Sequence, residues 1–158
     1  MEDKISSLNC EILAPAHLSN SIDKMKTPIK PTFFPACYRT KNTNLEIDDI
    51  LINGAETSHT VASIMLQFAG YMRCNPIYLI GIDLNYKNDK KYFTNDYHPI
   101  GTKQYEPEKI DFFTNEMITG IQRVTNSLHS KGITIYNCSK QSLLNENGIT
   151  EYYDINDI

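Results

Sequence analysis

Residues 57–82 read TSHTVASIMLQFAGYMRCNPIYLIGI, and this stretch decides the fold class. Its first half places apolar side chains at the spacing of one helix face, and its second half is a short, continuously apolar run. Such a run is typical of a strand that is covered on both faces in a parallel sheet. A helix joined tightly to a buried strand is half of an α/β unit. We therefore expect a Rossmann-like, three-layer α/β fold with a mostly parallel sheet.

The helix is expected to begin near Thr57 or Ser58, because either side chain could cap it. The predicted core-facing positions follow at intervals of three and four residues: Val61, Ile64, Met65, Phe68, Ala69 and Met72. The sequence Cys74-Asn75-Pro76 should end the helix, and residues 77–82 should form the buried strand.

The same pattern recurs downstream, where Pro107 opens a second amphipathic helix that Lys131-Gly132 closes. Residues 133–136 are predicted to form a second strand, and the tail to add a helical turn and a short edge segment. Three shorter segments precede the opening stretch. CEILA (10–14) and TFFPACY (32–38) are predicted strands, the latter at an edge because of Pro35, and DILING (49–54) a short strand or extended segment.

Composition limits the class of protein. The 158 residues fit one domain, and the net charge of -4 gives no electrostatic signature of nucleic-acid binding. No apolar run is long enough to span a bilayer, and MEDKISSLNC lacks the layout of a signal peptide, so a cytoplasmic location is expected. Four scattered cysteines without a C-x-x-C pair favour reduced thiols. Peripheral membrane contact and homo-oligomerisation stay open.

Polar residues follow both principal strands. Asp83 and Asn85 come after the first, and Asn137 and Ser139 end the second. Ligands of open α/β sheets bind outside the carboxyl ends of strands, so these residues are candidates for substrate binding. The N–H groups near Thr57 and Ser58 could hold a phosphate or a ribose hydroxyl. Residues 84–107 form a long loop with the character of a lid.

Several of these motifs resemble two related families. IYLIGIDLNY (77–86), the loop residues Phe93, Asp96 and Tyr97, and IYN (135–137) resemble the 6-hydroxymethylpterin diphosphokinase MptE-like family. ETSHTVASIMLQFAGY (56–71), IYLIGIDLNY and ITIYNCSKQSLL (133–144) are similar to bacterial lipo-oligosaccharide sialyltransferases. The resemblance covers roughly residues 56–145.

The second resemblance implies a glycosyltransferase that uses a CMP-sugar donor and a glycan acceptor in bacterial surface glycan biosynthesis, without a metal or other cofactor. It implies that Tyr86 and Tyr92 donate hydrogen bonds to the departing phosphate. It also implies that His98 deprotonates the acceptor hydroxyl, a role that suits a side chain titrating near neutrality. The predicted nucleotide- and substrate-binding residues are Thr57, Ser58, Asp83, Asn85, Asn137 and Ser139.

Two other interpretations remain. The first resemblance implies a diphosphokinase that uses ATP and Mg²⁺. Only the scattered acidic residues Asp83, Asp89 and Asp96 could serve that metal, so this interpretation ranks below the glycosyltransferase. Both families' domains usually open on a Gly-rich nucleotide-binding element, which is not found here, and His59 stands where the sialyltransferases have glycine. On that ground the chain could instead be a truncated, non-catalytic binding module. Residues 1–158 are then expected to be one α/β domain that forms the C-terminal part of a larger nucleotide-sugar-binding fold.

Overall fold

A computed structural model describes residues 12–24, 31–37, 47–85 and 107–158, and the structural statements below concern these ranges. Their strands form three sheets, in which all four strand pairings are parallel. The sheets are β1 (Leu13–Pro15) with β2 (Thr32–Phe34), β3 (Ala36–Cys37) with β4 (Ala55–Glu56), and β5 (Ile77–Leu79), β6 (Ile135–Asn137) and β7 (Glu151–Tyr152) in that order. The predicted α/β class with a parallel sheet is confirmed.

Five α-helices lie between or beside these strands. They are α1 (Ser19–Lys24), α2 (Ile50–Asn53), α3 (Val61–Tyr71), α4 (Pro107–Ser130) and α5 (Leu143–Glu146). Single 3₁₀ turns occur at Ala16–Leu18, Ile47–Asp49 and Ile155–Asp157. No helix within the described ranges has the length and hydropathy needed to cross a bilayer.

The hydrophobic core joins α3 and α4 to one face of the β5–β6–β7 sheet. Leu66 of α3, Ile121 of α4 and Ile135 of β6 are almost fully buried in it. Side chains alternate along a strand, so the residue before Leu79 in β5 and the residue after Ile135 in β6 point away from this core. Tyr78 and Tyr136 accordingly stack on the opposite face, with ring centroids 5.6 Å apart, and Tyr153 packs against both rings.

The second helix and the tail agree with the sequence. Helix α4 begins at Pro107 and ends before Gly132, whose φ of 76° is the left-handed conformation that terminates helices. The tail supplies α5 and the edge strand β7. The single edge strand expected at residues 32–38 is instead divided, because Pro35 separates β2 from β3.

Three local predictions were wrong. The DILING segment is mainly helical, because Ile50–Asn53 forms α2 rather than a strand. The first strand ends at Leu79 instead of continuing to residue 82, since Gly81 adopts a φ of 74° and interrupts the extended backbone. The second strand occupies Ile135–Asn137, shifted toward the carboxyl end of the predicted segment.

The predicted burial of α3 was wrong as well. The buried residues are Ala62, Ser63, Leu66, Gln67 and Gly70, whereas Val61, Met65 and Met72 of the predicted core stripe are exposed. Hydrophobic periodicity finds apolar positions only, and the face that packs into this fold contains a serine, a glutamine and a glycine. Gly70 is required there, because an added Cβ would lie 2.1 Å from the Leu128 side chain.

Candidate functional site

Asn137 ties the carboxyl ends of β5 and β6 together. Its side chain is fully buried, and its Nδ2 donates to the Ile82 carbonyl at 2.8 Å and to Ser142 Oγ at 2.9 Å. Its Oδ1 accepts from the backbone N–H of Ser139 at 2.8 Å. Both amide hydrogens of Asn137 therefore bond to protein groups, and the residue supports the sheet edge from its buried position.

The other predicted residues at this edge lie close by. Asp83 is exposed, and its Oδ1 accepts from the backbone N–H of Asn85 at 3.3 Å, while its carbonyl accepts from the N–H of Leu143 at 2.9 Å. Ser139 is half-buried at the start of the turn that leads into α5. The residues after β5 and those after β6 thus converge on one edge, as the parallel pairing requires.

A tight turn, residues 57–60, leads from β4 into α3. Its N–H at Thr60 donates to the Thr57 carbonyl at 2.8 Å, and Ser58 and His59 adopt left-handed φ values of 41° and 57°. The cap is Thr60, whose hydroxyl accepts from the N–H of Ala62, so the predicted capping role of Thr57 or Ser58 was wrong. The turn lies at the N-terminus of α3, and the N–H groups and dipole of a helix N-terminus favour anions.

Glu56 and Arg123 form a buried ion pair directly beside this turn. The Glu56 carboxylate, at the end of β4, accepts a hydrogen bond from Arg123 Nη2 and another from Ser58 Oγ at 2.7 Å. The Arg123 side chain, on α4, is 23% exposed, and burial lowers the pKa of its guanidinium. Helix α4 can approach this closely because residue 120 is glycine, where a Cβ would lie 2.0 Å from Ser58 Oγ.

Two groups of this cluster retain unused hydrogen-bonding capacity. Arg123 Nε and Nη1 and the Thr57 hydroxyl are buried without a hydrogen-bond partner in the described part of the chain. Thr57 as a whole is only 7% exposed. A buried donor left without a partner costs about 1–3 kcal/mol, so such groups mark a place where a ligand oxygen would be favourable.

Gln67 fixes the position of Glu56 from α3. Its Oε1 accepts from the Glu56 N–H at 2.8 Å, and its Nε2 donates to the Glu56 carbonyl at 2.8 Å. Ser63 Oγ donates to the same carbonyl at 3.2 Å. The Gln67 amide thereby bonds to the backbone of β4 as a neighbouring strand would. It also fixes Glu56, which in turn orients Arg123.

An open groove of about 380 Å³ lies between the first half of α4 and α5. Its lining on α4 is Asp111, Thr114, Asn115 and Ile118, and its other lining residues are Leu143 and Asn147. Because Leu143 also bonds to the backbone of Asp83, the groove adjoins the edge formed by the two strand ends.

The sequence did not identify Glu56, Gln67 or Arg123. Arg123 carries no local signal, because at about 100° per residue it lies outside the apolar stripe of Ile121, Val124 and Leu128. Its partner could not be identified either, since Glu56 is 67 residues away along the chain.

The predicted catalytic residues Tyr86, Tyr92 and His98 lie outside the described residues, as does most of the predicted loop 84–107. No group of three or more His, Cys, Asp or Glu side chains that could hold a metal ion is found in the ranges that the structure describes. Searches against protein-family models, curated proteins and solved structures found no match to this chain.

Proposed function

We propose that this chain is a sialyltransferase-like glycosyltransferase that binds a nucleotide-activated sugar of the CMP-sugar type for bacterial surface glycan biosynthesis. The observation that carries the proposal is the polar cluster at the start of α3. There the unpartnered nitrogens of Arg123 and the unpartnered hydroxyl of Thr57 lie beside a turn of left-handed residues at a helix N-terminus. Each of these features favours an anion, and a nucleotide-sugar brings a phosphate.

The Glu56–Arg123 pair suits a phosphate that must arrive and depart. Glu56 holds Nη2 of the guanidinium and neutralises much of its charge, so the empty site does not contain an isolated buried cation. A phosphate oxygen that accepts from Nε or Nη1 would satisfy a donor that now lacks a partner. Binding would therefore be favourable without being irreversible.

The groove beside α4 supports a place for the acceptor glycan. Its one charged lining residue is Asp111, so electrostatic repulsion would keep the anionic donor at the Arg123 side and leave the groove to a neutral acceptor. Carboxylate, amide and hydroxyl groups above the apolar side chains of Ile118 and Leu143 provide the mixture that a sugar, with its hydroxyls and C–H faces, requires.

In the proposed reaction the acceptor hydroxyl attacks the anomeric carbon of the donor, and the bond from that carbon to the phosphate oxygen breaks. His98 would take the proton of the attacking hydroxyl. Tyr86 and Tyr92 would donate to the departing phosphate, and Arg123 Nε or Nη1 would donate to it as well. Asn137 would keep the two strand ends at the spacing that the substrates need.

Titration calorimetry with CMP, CMP-N-acetylneuraminate and ATP with Mg²⁺ tests the proposal. We expect the two cytidine ligands to bind without added metal. Arg123→Lys keeps the positive charge but loses the planar guanidinium donors, and it should weaken that binding about tenfold or more, because a hydrogen bond to a charged group contributes about 1.5–3 kcal/mol.

Arg73→Lys is the matched control, since Arg73 is an exposed arginine that pairs with Asp48 away from the cluster. Its affinity for the cytidine ligands should equal that of the wild type. Binding of ATP only in the presence of Mg²⁺ would favour the diphosphokinase interpretation instead. Absence of binding by every ligand would favour a non-catalytic module.

A further inference from the structure

Three aromatic rings pack together beside the polar cluster, and we define them as the aromatic row: His59, Phe113 and Phe112. The His59 ring meets the Phe113 ring edge-on, with centroids 5.1 Å apart, and the Phe112 ring meets it in the same way at 5.5 Å. Phe113 is half-buried, whereas His59 and Phe112 are exposed. The row therefore presents aromatic surface to solvent on either side of Phe113.

The aromatic row adjoins the candidate phosphate site through consecutive residues of the turn before α3. Ser58 and Arg123 donate to the same carboxylate, and His59 is the next residue, with its Cα about 3.8 Å from that of Ser58. On α4 the residue that faces Ser58 is Gly120, and Phe113 precedes it by seven residues, which is two helical turns along the same face. The turn thus crosses α4 with its polar side toward Arg123 and its aromatic side toward the start of the helix.

We propose that the aromatic row stacks against the base of the nucleotide whose phosphate binds beside Arg123. Arg123 Nε and Nη1 and the Thr57 hydroxyl are buried without a hydrogen-bond partner in the described part of the chain, so the polar side of the turn favours the oxygen atoms of a ligand. The exposed rings favour a flat aromatic group. A nucleotide joins both chemistries in one small molecule, whereas a purely apolar partner would leave the buried polar atoms unsatisfied.

The backbone of His59 supports a role for its ring. Its φ of 57° is the left-handed conformation that glycine adopts freely and that a residue with a side chain adopts at a cost in stability. Costly conformations of this kind are concentrated at ligand sites. Glycine, which the sialyltransferases have at this position, would suit the turn better, so the imidazole stands here against the local backbone preference. Stacking on the base gives that side chain a function.

Because this inference rests on the proposed function, its test compares two ligands that carry the same phosphate, CMP and ribose 5-phosphate, which lacks the base. In titration calorimetry of the full chain we expect the wild type to bind CMP about tenfold or more tightly than ribose 5-phosphate. His59→Asn tolerates the left-handed backbone but has no ring, so it should lose this preference and bind ribose 5-phosphate like the wild type. His59→Tyr restores a ring and should keep the preference. His129→Asn, at an exposed histidine in the last turn of α4, is the matched control and should also keep it.

Saturation-transfer difference NMR of CMP with the wild type adds a measurement that needs no variant. The ring protons of a stacked cytosine should receive more saturation than the ribose protons, and the reverse order would overturn the proposal. Equal wild-type affinities for the two ligands would overturn it too, as would a His59→Asn variant that keeps the preference for CMP or weakens both ligands equally. In each of these cases the phosphate site would stand. A wild type that binds neither ligand would instead overturn the proposed function together with this inference.

Discussion

At the scale of single residues, a substitution of Thr57 distinguishes a ligand-binding role of its hydroxyl from a structural role. Its hydroxyl is buried and has no hydrogen-bond partner in the described part of the chain, so it costs stability in the unliganded protein. Thr57→Val keeps the shape and removes the hydroxyl. We expect the free energy of unfolding to stay the same or to rise by up to about 1 kcal/mol, while affinity for CMP falls about threefold to tenfold. Urea denaturation and titration calorimetry measure the two quantities.

Thr125 provides the matched control for this prediction. It is also a buried threonine whose hydroxyl lacks a partner in the described ranges, but it is not part of the 57–60 turn. Thr125→Val should therefore match Thr57→Val in stability and leave the affinity for CMP unchanged. Equal affinities in both variants would contradict a ligand contact by the Thr57 hydroxyl.

At the scale of elements, the sequence predicted best those helices whose local pattern agrees with their packing. Helix α4 begins at Pro107 and ends before Gly132, as predicted, and the apolar Ile121, Val124 and Leu128 on one of its faces are buried. Each of these features follows from a local signal. Helix α3 has a correct position but the wrong buried face. Its orientation follows from the hydrogen bonds of Gln67 to β4, which are tertiary contacts without a periodic pattern.

The candidate site, too, was predictable only in the part that follows from local sequence signals. The parallel pairing of β5 with β6 brings Asp83 and Ser139 to one edge, and that much follows from the order of helices and strands. The Glu56–Arg123 pair joins residues far apart in the chain, so no spacing rule could find it. Local sequence therefore predicts where a ligand site lies, and long-range polar pairs decide what charge it presents.

Asp48 connects three of these elements and makes the fold sensitive to acid. Its carboxylate, on the turn before α2, accepts from Lys131 Nζ at 2.6 Å and from Arg73 Nη2 at 2.8 Å, beyond the ends of α4 and α3. The hydrogen bond from Lys131 is the largest cause that lowers the pKa of Asp48 below its ordinary 3.8, with the charges of Arg73 and Lys131 adding to it against desolvation. The carboxylate's contribution to stability is therefore present above pH 3.8 and is lost as pH falls through the lower, folded-state pKa.

Asp48→Asn should accordingly be less stable than the wild type near neutral pH, and the difference should shrink as the pH is lowered below 3.8. Urea denaturation at a series of pH values measures this difference. Asp23→Asn, on the exposed side of α1, is the control and should show little difference from the wild type at any pH. A gap between Asp48→Asn and the wild type that persists in acid would argue against the ion pair as its cause.

At the scale of the whole molecule, Asn137 joins two strands and the approach to α5 through one buried amide. Asn137→Ala removes these contacts and leaves the Ser139 N–H without its acceptor, so we expect a loss of about 2–4 kcal/mol in the free energy of unfolding. Asn126→Ala, at an exposed position of α4, should change stability by no more than about 0.5 kcal/mol.

The same denaturation experiment tests whether the chain is one domain. Far-ultraviolet circular dichroism reports mainly on the helices, whereas the near-ultraviolet signal of the tyrosines reports on the sheet face of Tyr78, Tyr136 and Tyr153. Because α3, α4, β5 and β6 share one buried cluster, the two signals should change together in the wild type and, at lower urea, in Asn137→Ala. Two separate transitions would mean that the tyrosine face unfolds independently of the helices, and a substitution at the strand ends would then leave the α3 site intact.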